Sequence, residues 1–315
     1  MKTIRLNHPG AALLAVAAAG LLAAVGLLAV LYAQPAEANY PGTNGKIYYA
    51  GWDGDLEIYS INPDGGSNVK VTTNQSANWE PAYSPTGKKI AYVGWDSAGN
   101  DWDIYTADLD GGSRVNVTDN TSDDRSPYYS PNGTKIAYAS DADGDWEIYT
   151  INTNGGGKVN VTQNSSDDRN PAYSPSGTKI AYEYDTGTNW EIYTVNTNGG
   201  GKVNVTQNSS DDYDPDYSPD GKKIAYSNNP ATGDWEIYTV NTNGGGKVNV
   251  TQNSSDDYYP SYSPDGKKIA YVYDPGTGDP DIYYINTNGG GRTAVTSDNT
   301  QDYDPYWACK GACRR

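Results

Sequence analysis

The 315-residue sequence carries 36 Gly, 29 Tyr, 8 Trp and no Phe, with a formal charge of −17. Tyr and Trp suit a pleated surface and Gly, Asn and Asp suit turns, so this composition excludes a helical bundle and predicts an all-β fold. The acidity repels nucleic acid phosphates and anionic lipid headgroups. One histidine (His8) and two cysteines exclude Ser-His-Asp, Cys-His and His-zinc chemistry from the mature chain.

Residues 1–38 read as an export signal: Lys2, Arg5 and His8 precede an Ala/Leu-rich stretch from Ala11 to Ala33, and Ala36-Glu37-Ala38 fits a small-x-small cleavage site. The apolar stretch of 23 residues is also long enough to span a bilayer, so an uncleaved anchor is the alternative. The expected location is secreted or periplasmic, within the cell envelope, with membrane contact only through this segment.

Residues 39–308 then read as a single domain. Strand signals fall within Lys46–Ala50, Glu57–Ile61 and Val69–Thr72. A unit of about 45 residues follows, marked by Pro81, Pro127, Pro171, Pro215, Pro260 and Pro305. The string NTNGGGKVNVTQNSSDD recurs at 152–168, 196–212 and 241–257. One unit divides into PAYS (171–174), KIAYEY (179–184), EIYTVN (191–196) and KVNVT (202–206), separated by Pro175-Ser176-Gly177 and Asn198-Gly199-Gly200-Gly201 turns. Each unit is thus a four-stranded antiparallel meander with apolar residues on both faces, which radial stacking buries. Five full blades begin near Pro81, Pro127, Pro171, Pro215 and Pro260. The three early strands and a last one, Tyr303–Trp307, make a sixth, so a six-bladed β-propeller closed by 3+1 pairing is expected. In an oxidising compartment Cys309 and Cys313, in the tail 309–315, are expected to form a small disulfide loop.

Y-S-P-D-G-K-K-I-A-Y at 217–226 and 262–271, followed by W-E-I-Y-T and N-G-G-G elements, resembles the repeat of the TolB-type propellers, a WD-like family of bacterial envelope proteins. The resemblance covers about residues 45–307 and implies six blades and an envelope protein as partner. The additional α/β domain that precedes the propeller in the best-known member is not expected, since only Asn39–Asn44 separate the leader from the first strand.

Loops between second and third strands vary (WDSAGND at 95–101, SDADGD at 140–145, YDTGTN at 184–189), whereas the turns at the opposite end are monotonous. Variation on a constant scaffold places binding on the varied face, which also receives the blade-to-blade loops. Three positions before each Pro stand Asn78, Asp124, Asp168, Asp212, Asp257 and Asp302. If these face the axis they hold a cation such as Ca²⁺ at the channel mouth; the alternative is that each caps its own loop. A second acidic cluster, Asp141, Asp143 and Asp145 with Glu147, alternates carboxylates through a Gly-containing loop, either a calcium loop or a polar hairpin. Trp102, Trp146, Trp190 and Trp235 occupy one repeated position, which favours packing between blades over an exposed platform. No pair of carboxylates stands apart as acid and base. The expected function is a monomeric, non-catalytic scaffold that binds an envelope or extracellular protein. A carbohydrate or cell-wall polysaccharide ligand and a carboxylate-dependent glycan enzyme are the alternatives.

Overall fold

The computed structural model describes residues 42–74, 76–230 and 233–313. The export signal or anchor read at 1–38 lies outside the described residues. The rest forms six four-stranded antiparallel blades, arranged as a propeller. The fourth blade is representative, with strands Asp168–Tyr173, Lys179–Asp185, Trp190–Asn196 and Val203–Asn204 from axis to rim. Its first turn closes through Gly177 N–H donating to Ser174 O at 2.8 Å, with Gly177 at φ +66°, a left-handed conformation that glycine adopts without a Cβ clash.

The outermost strands are shorter than KVNVT predicts, two residues in every blade. Beyond them a side chain takes over the ladder: Thr206 Oγ1 accepts the Ile192 N–H at 3.0 Å, and Thr72, Thr118, Thr162, Thr251 and Thr296 accept the equivalent amides. Short edges of this kind offer little template for pairing with another chain.

Six apolar clusters lie at the six seams between blades. At the seam of the third and fourth blades, Ala137, Ala139, Ile148 and Val161 meet Tyr173, Ile180, Tyr182 and Val195. Each blade also buries one large tyrosine (Tyr49, Tyr92, Tyr138, Tyr182, Tyr226, Tyr271) against a tyrosine of its third strand, with ring centroids 5.6–6.4 Å apart. Both faces of every sheet are therefore covered by neighbours, as the two-faced strand pattern requires.

The ring closes as expected: Asp302–Cys309 is the inner strand of the blade whose other strands are Asn44–Trp52, Leu56–Ile61 and Val69–Lys70. Ile47 pairs with Trp307 and Tyr48 with Tyr306. Cys309 and Cys313 are disulfide-bonded, and the loop they form reaches the second blade through Cys313 N–H to Pro85 O (2.9 Å) and Tyr83 Oη–H to Gly311 O (3.0 Å). Deleting residues 303–315 should strip the inner strand from the first blade and expose Ile47 and Tyr48. The expected outcome is aggregation or loss of a cooperative melt, and a truncated protein that melts like the parent would overturn this closure.

Candidate functional site on the propeller axis

Each inner strand contains a bulge at the residue before its proline, where the ladder to the second strand skips, as between Arg169 and Ala172. Proline has no N–H to donate, so the ladder cannot continue through it. The preceding residues, Glu80, Ser126, Asn170, Asp214, Tyr259 and Asp304, all adopt φ between +48° and +56°. A left-handed non-glycine residue costs roughly 1–2 kcal/mol, and bulges of this kind re-aim a side chain. Here they place five polar residues and Tyr259 around the axis, on the side where the blade-to-blade loops enter.

These six residues are joined by hydrogen bonds from blade to blade. Glu80 N–H donates to Asp304 Oδ2 (3.3 Å), Ser126 N–H to Glu80 Oε2 (2.6 Å), and Ser126 Oγ–H to Asn170 Oδ1. Asn170 Nδ2 donates to Asp214 Oδ1 (3.0 Å) and to Glu183 Oε1 (2.6 Å), which also accepts Asp214 N–H at 2.7 Å. Ser227 Oγ–H donates to Asp214 Oδ2 (3.0 Å) and accepts Tyr259 N–H (3.2 Å). Four carboxyl groups, Glu80, Glu183, Asp214 and Asp304, thus share one small space. Burial raises the proton affinity of all four, Glu183 to about 7, and repulsion between neighbouring carboxyls raises Asp214 and Asp304 further. None of the four forms an ion pair among the described residues.

Deeper along the axis Tyr128 Oη–H donates to Asp216 Oδ1 (3.0 Å) from two blades away, and the Tyr128 ring meets Tyr306 edge-on at 5.8 Å. The far end is a buried collar of Tyr83, Tyr129, Tyr173, Tyr217, Tyr262 and Trp307, beside the Cys309–Cys313 bridge. The axial space is therefore polar and acidic at one end, and aromatic and narrowed at the other.

Around the acidic end runs a stacked arc. Trp95 packs on Trp102 (5.1 Å) and Trp102 on Trp79 (5.6 Å); Arg125 lies over Trp79 and Trp146, and Arg169 over Trp146 and Trp190, at 5.2–5.6 Å. Tyr213 continues it between Trp190 and Trp235, at 5.6 and 5.4 Å. The repeated tryptophans do pack against neighbours, yet all remain half-buried, so the arc keeps partly open ring faces.

The family model described as TolB beta propeller domain matches residues 54–232 and 213–313. The chain belongs to the TolB β-propeller family. Among solved structures it is similar to TolB from Acinetobacter baumannii, with TM-score 0.72 and 24% identity, over 84% of this chain and 66% of that one. It is also similar to a putative TolB from Agrobacterium tumefaciens (TM-score 0.67, 21% identity, 84% and 98% covered) and to Kuenenia stuttgartiensis hydrazine synthase (0.73, 17%, 88% and 49%). At these identities the likeness shows the fold. No curated protein matches the chain.

In this TolB propeller, Asp124, Asp168, Asp212, Asp257 and Asp302 do not line the channel mouth. They lie in the seams at 0–1% exposure, one per blade, as does Asn78 in the second blade. Asn120, Asn164, Asn208 and Asn253, each four residues earlier, donate to Asp124, Asp168, Asp212 and Asp257 at 2.5–2.6 Å through their side-chain amides, not through the backbone N–H groups of a capped loop. Burial is the first cause that raises their proton affinities, to about 6 for Asp124 and Asp212, about 7 for Asp168 and Asp257, and about 8 for Asp302. The loop residues Asp141, Asp143 and Asp145 do not share a partner. Asp141 Oδ1 accepts Asp123 N–H at 3.0 Å, exposed Asp143 accepts Tyr149 Oη–H and Asn160 Nδ2–H, and Asp145 is half-buried. The axial residues escaped the sequence reading, although one signal marks them: the position before each proline is polar in five blades and Tyr in the sixth.

Asn78 shows what the seam position accepts, since its Nδ2 donates to Glu57 Oε2 at 2.8 Å. Asp168 has Glu147 as the equivalent neighbour and an Oδ1 with no hydrogen-bond partner, so a proton there supplies the missing donor. Its folded-state value lies above the unfolded one. The stabilisation is therefore full below about pH 4 and is lost as pH rises through about 7. Asp168→Asn should melt above the parent at pH 8, with the gap closing toward pH 5, at about 2–4 °C per kcal/mol for a domain this large. A variant that melts lower at both pH values would show that the carboxylate form is required.

Proposed function

We propose that this TolB-family propeller is a non-catalytic, exported scaffold of the cell envelope that acts as a monomer and binds a polypeptide partner at its acidic axial mouth. The observation that carries this reading is the group of Glu80, Glu183, Asp214 and Asp304, which hydrogen bonds hold together and which forms no ion pair among the described residues, with Arg125 acting on Glu80 and Arg169 on Glu183 from a distance. The protons that burial places on this group near neutral pH can be displaced by the cation of a lysine, an arginine or a chain amine of the partner. The half-buried Trp and Arg arc around it offers flat faces for the rest of a peptide, and Trp, Tyr and Arg are the residue types enriched at binding hot spots. The same cluster of carboxyl groups disfavours acidic glycans. A neutral cell-wall polysaccharide is the second reading, supported by the partly open faces of Trp102, Trp146, Trp190 and Trp235.

The test is affinity capture from envelope extracts with the parent and with an Asp214→Asn/Asp304→Asn variant, run beside a glycan array. The expected result is a captured protein whose affinity falls about tenfold or more in the variant and weakens with salt. Glycan binding without a protein partner, or turnover of neutral or acidic glycans by the purified chain, would overturn the reading.

A further inference from the structure

The hairpin that joins the second and third strands of the second blade differs from its five counterparts. Its third strand starts earlier relative to the repeated Trp than in the other blades, at Asp101, and runs Asp101–Asp108 beside Lys89–Asp96. The last pair in this ladder is Asp96 with Asp101, two like charges directly opposite one another. Asp103 follows on the same face of the strand. One carboxylate oxygen from each of Asp96, Asp101 and Asp103 lies within 4.8 Å of the others.

Two of these carboxylates are already held. Asp96 accepts the N–H groups of Ala98 (3.2 Å) and Gly99 (3.0 Å), and Asp103 accepts Asn116 Nδ2–H (2.6 Å) and Thr118 Oγ1–H (2.7 Å). Asp101 is different. It is 4% exposed, and neither oxygen has a hydrogen-bond partner. After burial itself, the side chains that act on it are Asp103, Asp96 and Asp123, all negative, opposed only by its own backbone amide. A bare carboxylate buried among carboxylates is a costly arrangement unless a cation or a proton completes it.

The fourth blade has Asn189 where the second has Asp101; the other four blades have Asp55, Asp145, Asp234 and Asp279, and of these aspartates Asp101 alone is buried. Asn189 Nδ2 donates to Glu191 Oε1 (2.9 Å), Asn208 O (3.0 Å) and Ser210 O (3.0 Å), so this position faces a nest of three acceptors. The surrounding loop has the same bonds in both blades: Trp190 N–H to Asp211 Oδ1 and Trp102 N–H to Asp123 Oδ1, and Ser210 N–H to Asn208 Oδ1 and Ser122 N–H to Asn120 Oδ1. Asp103 replaces Glu191, and Asn120 and Ser122 replace Asn208 and Ser210. An acceptor thus stands in the second blade where the fourth blade has a donor.

We propose that Asp96, Asp101 and Asp103 bind a Ca²⁺-type divalent cation at this hairpin, which does for the second blade what the Asn189 amide does for the fourth. The ligand set is all oxygen, as hard cations require. Ca²⁺ accepts oxygens about 2.3–2.6 Å away in irregular geometry and takes carbonyls as well as carboxylates. The shorter Asp103 leaves more room than the glutamate found at this position in four of the other five blades. The site lies at the end of a blade and is separate from the axial carboxyl group.

Calorimetric titration of the purified, chelator-treated chain with CaCl₂, compared with Asp101→Asn, tests this. Asn189 is the precedent that Asn fits the fold. The parent should take up one Ca²⁺ more per chain than the variant, and terbium luminescence sensitised by the adjacent Trp95 and Trp102 should fall in the variant. In chelator the variant should melt above the parent and should lose the part of the parent's Ca²⁺-dependent rise that this site contributes. Asp96→Asn, at the half-exposed end of the hairpin, should lose the same equivalent of Ca²⁺, with site affinity down on the order of 100-fold or more. Equal stoichiometries in parent and both variants would overturn the proposal. So would a parent stabilised by acid and indifferent to Ca²⁺, which would assign a proton to Asp101; Mg²⁺ giving the larger effect would overturn the choice of calcium.

Discussion

A β-sheet with apolar residues on both faces cannot exist alone in water, and this requirement governs the molecule. Each blade exposes Ile and Ala on one side and a large Tyr on the other until a neighbour covers it, so no blade is complete by itself. Rotation about an axis is the arrangement that covers every face with identical units and leaves no terminal sheet. The six seams repeat one contact, Tyr and Ile of one second strand against Ala and Ile of the preceding blade. The axis is what remains where six inner strands converge, and its character is set by a handful of residues that the seams do not use.

Much of this was legible in the sequence because the repeat repeats its punctuation. Pro171 with Pro175-Ser176-Gly177 and Asn198-Gly199 marks the ends of strands as clearly as alternation marks their interiors, and the odd strands at 46–72 and 303–307 announced the closure. The direction of Asp168 was not legible. In a straight strand Asp168, Asn170 and Ala172 share a face, so an Asp and the residue before the proline should point the same way. The left-handed bulge at Asn170 breaks that alternation, sending Asn170 to the axis and leaving Asp168 in the seam. Period-two reasoning cannot see a bulge unless the bulged residue is glycine, and here it is Glu, Ser, Asn, Asp or Tyr.

The same blindness explains the acidic sites. From composition, carboxylates are charges to be distributed over a surface. In the fold, those of the seams and the axis are buried beside one another, where holding a proton is the cheaper solution. The formal charge of −17 therefore overstates the charge on the folded molecule near neutral pH. Asn78 is where the repeat has replaced the proton with an amide, and comparing one blade with another reads the needs of each position more directly than any residue type does alone.

The closure of the first blade has a kinetic corollary. Ile47 and Trp307 are 260 positions apart, yet their pairing completes the sheet that the chain begins first. The three early strands must wait, with a bare inner edge, while five nearly interchangeable units are made and stacked, and loop closure over such a span is slow. In that interval the inner strand of another unit can substitute, since all six inner strands share the same left-handed bulge before a proline. The strand that must win carries Trp307 and Cys309, which none of the competing inner strands has. The disulfide loop then ties it to the second blade. In a molecule built by copying, the residues never copied are the ones that tell the chain where it ends.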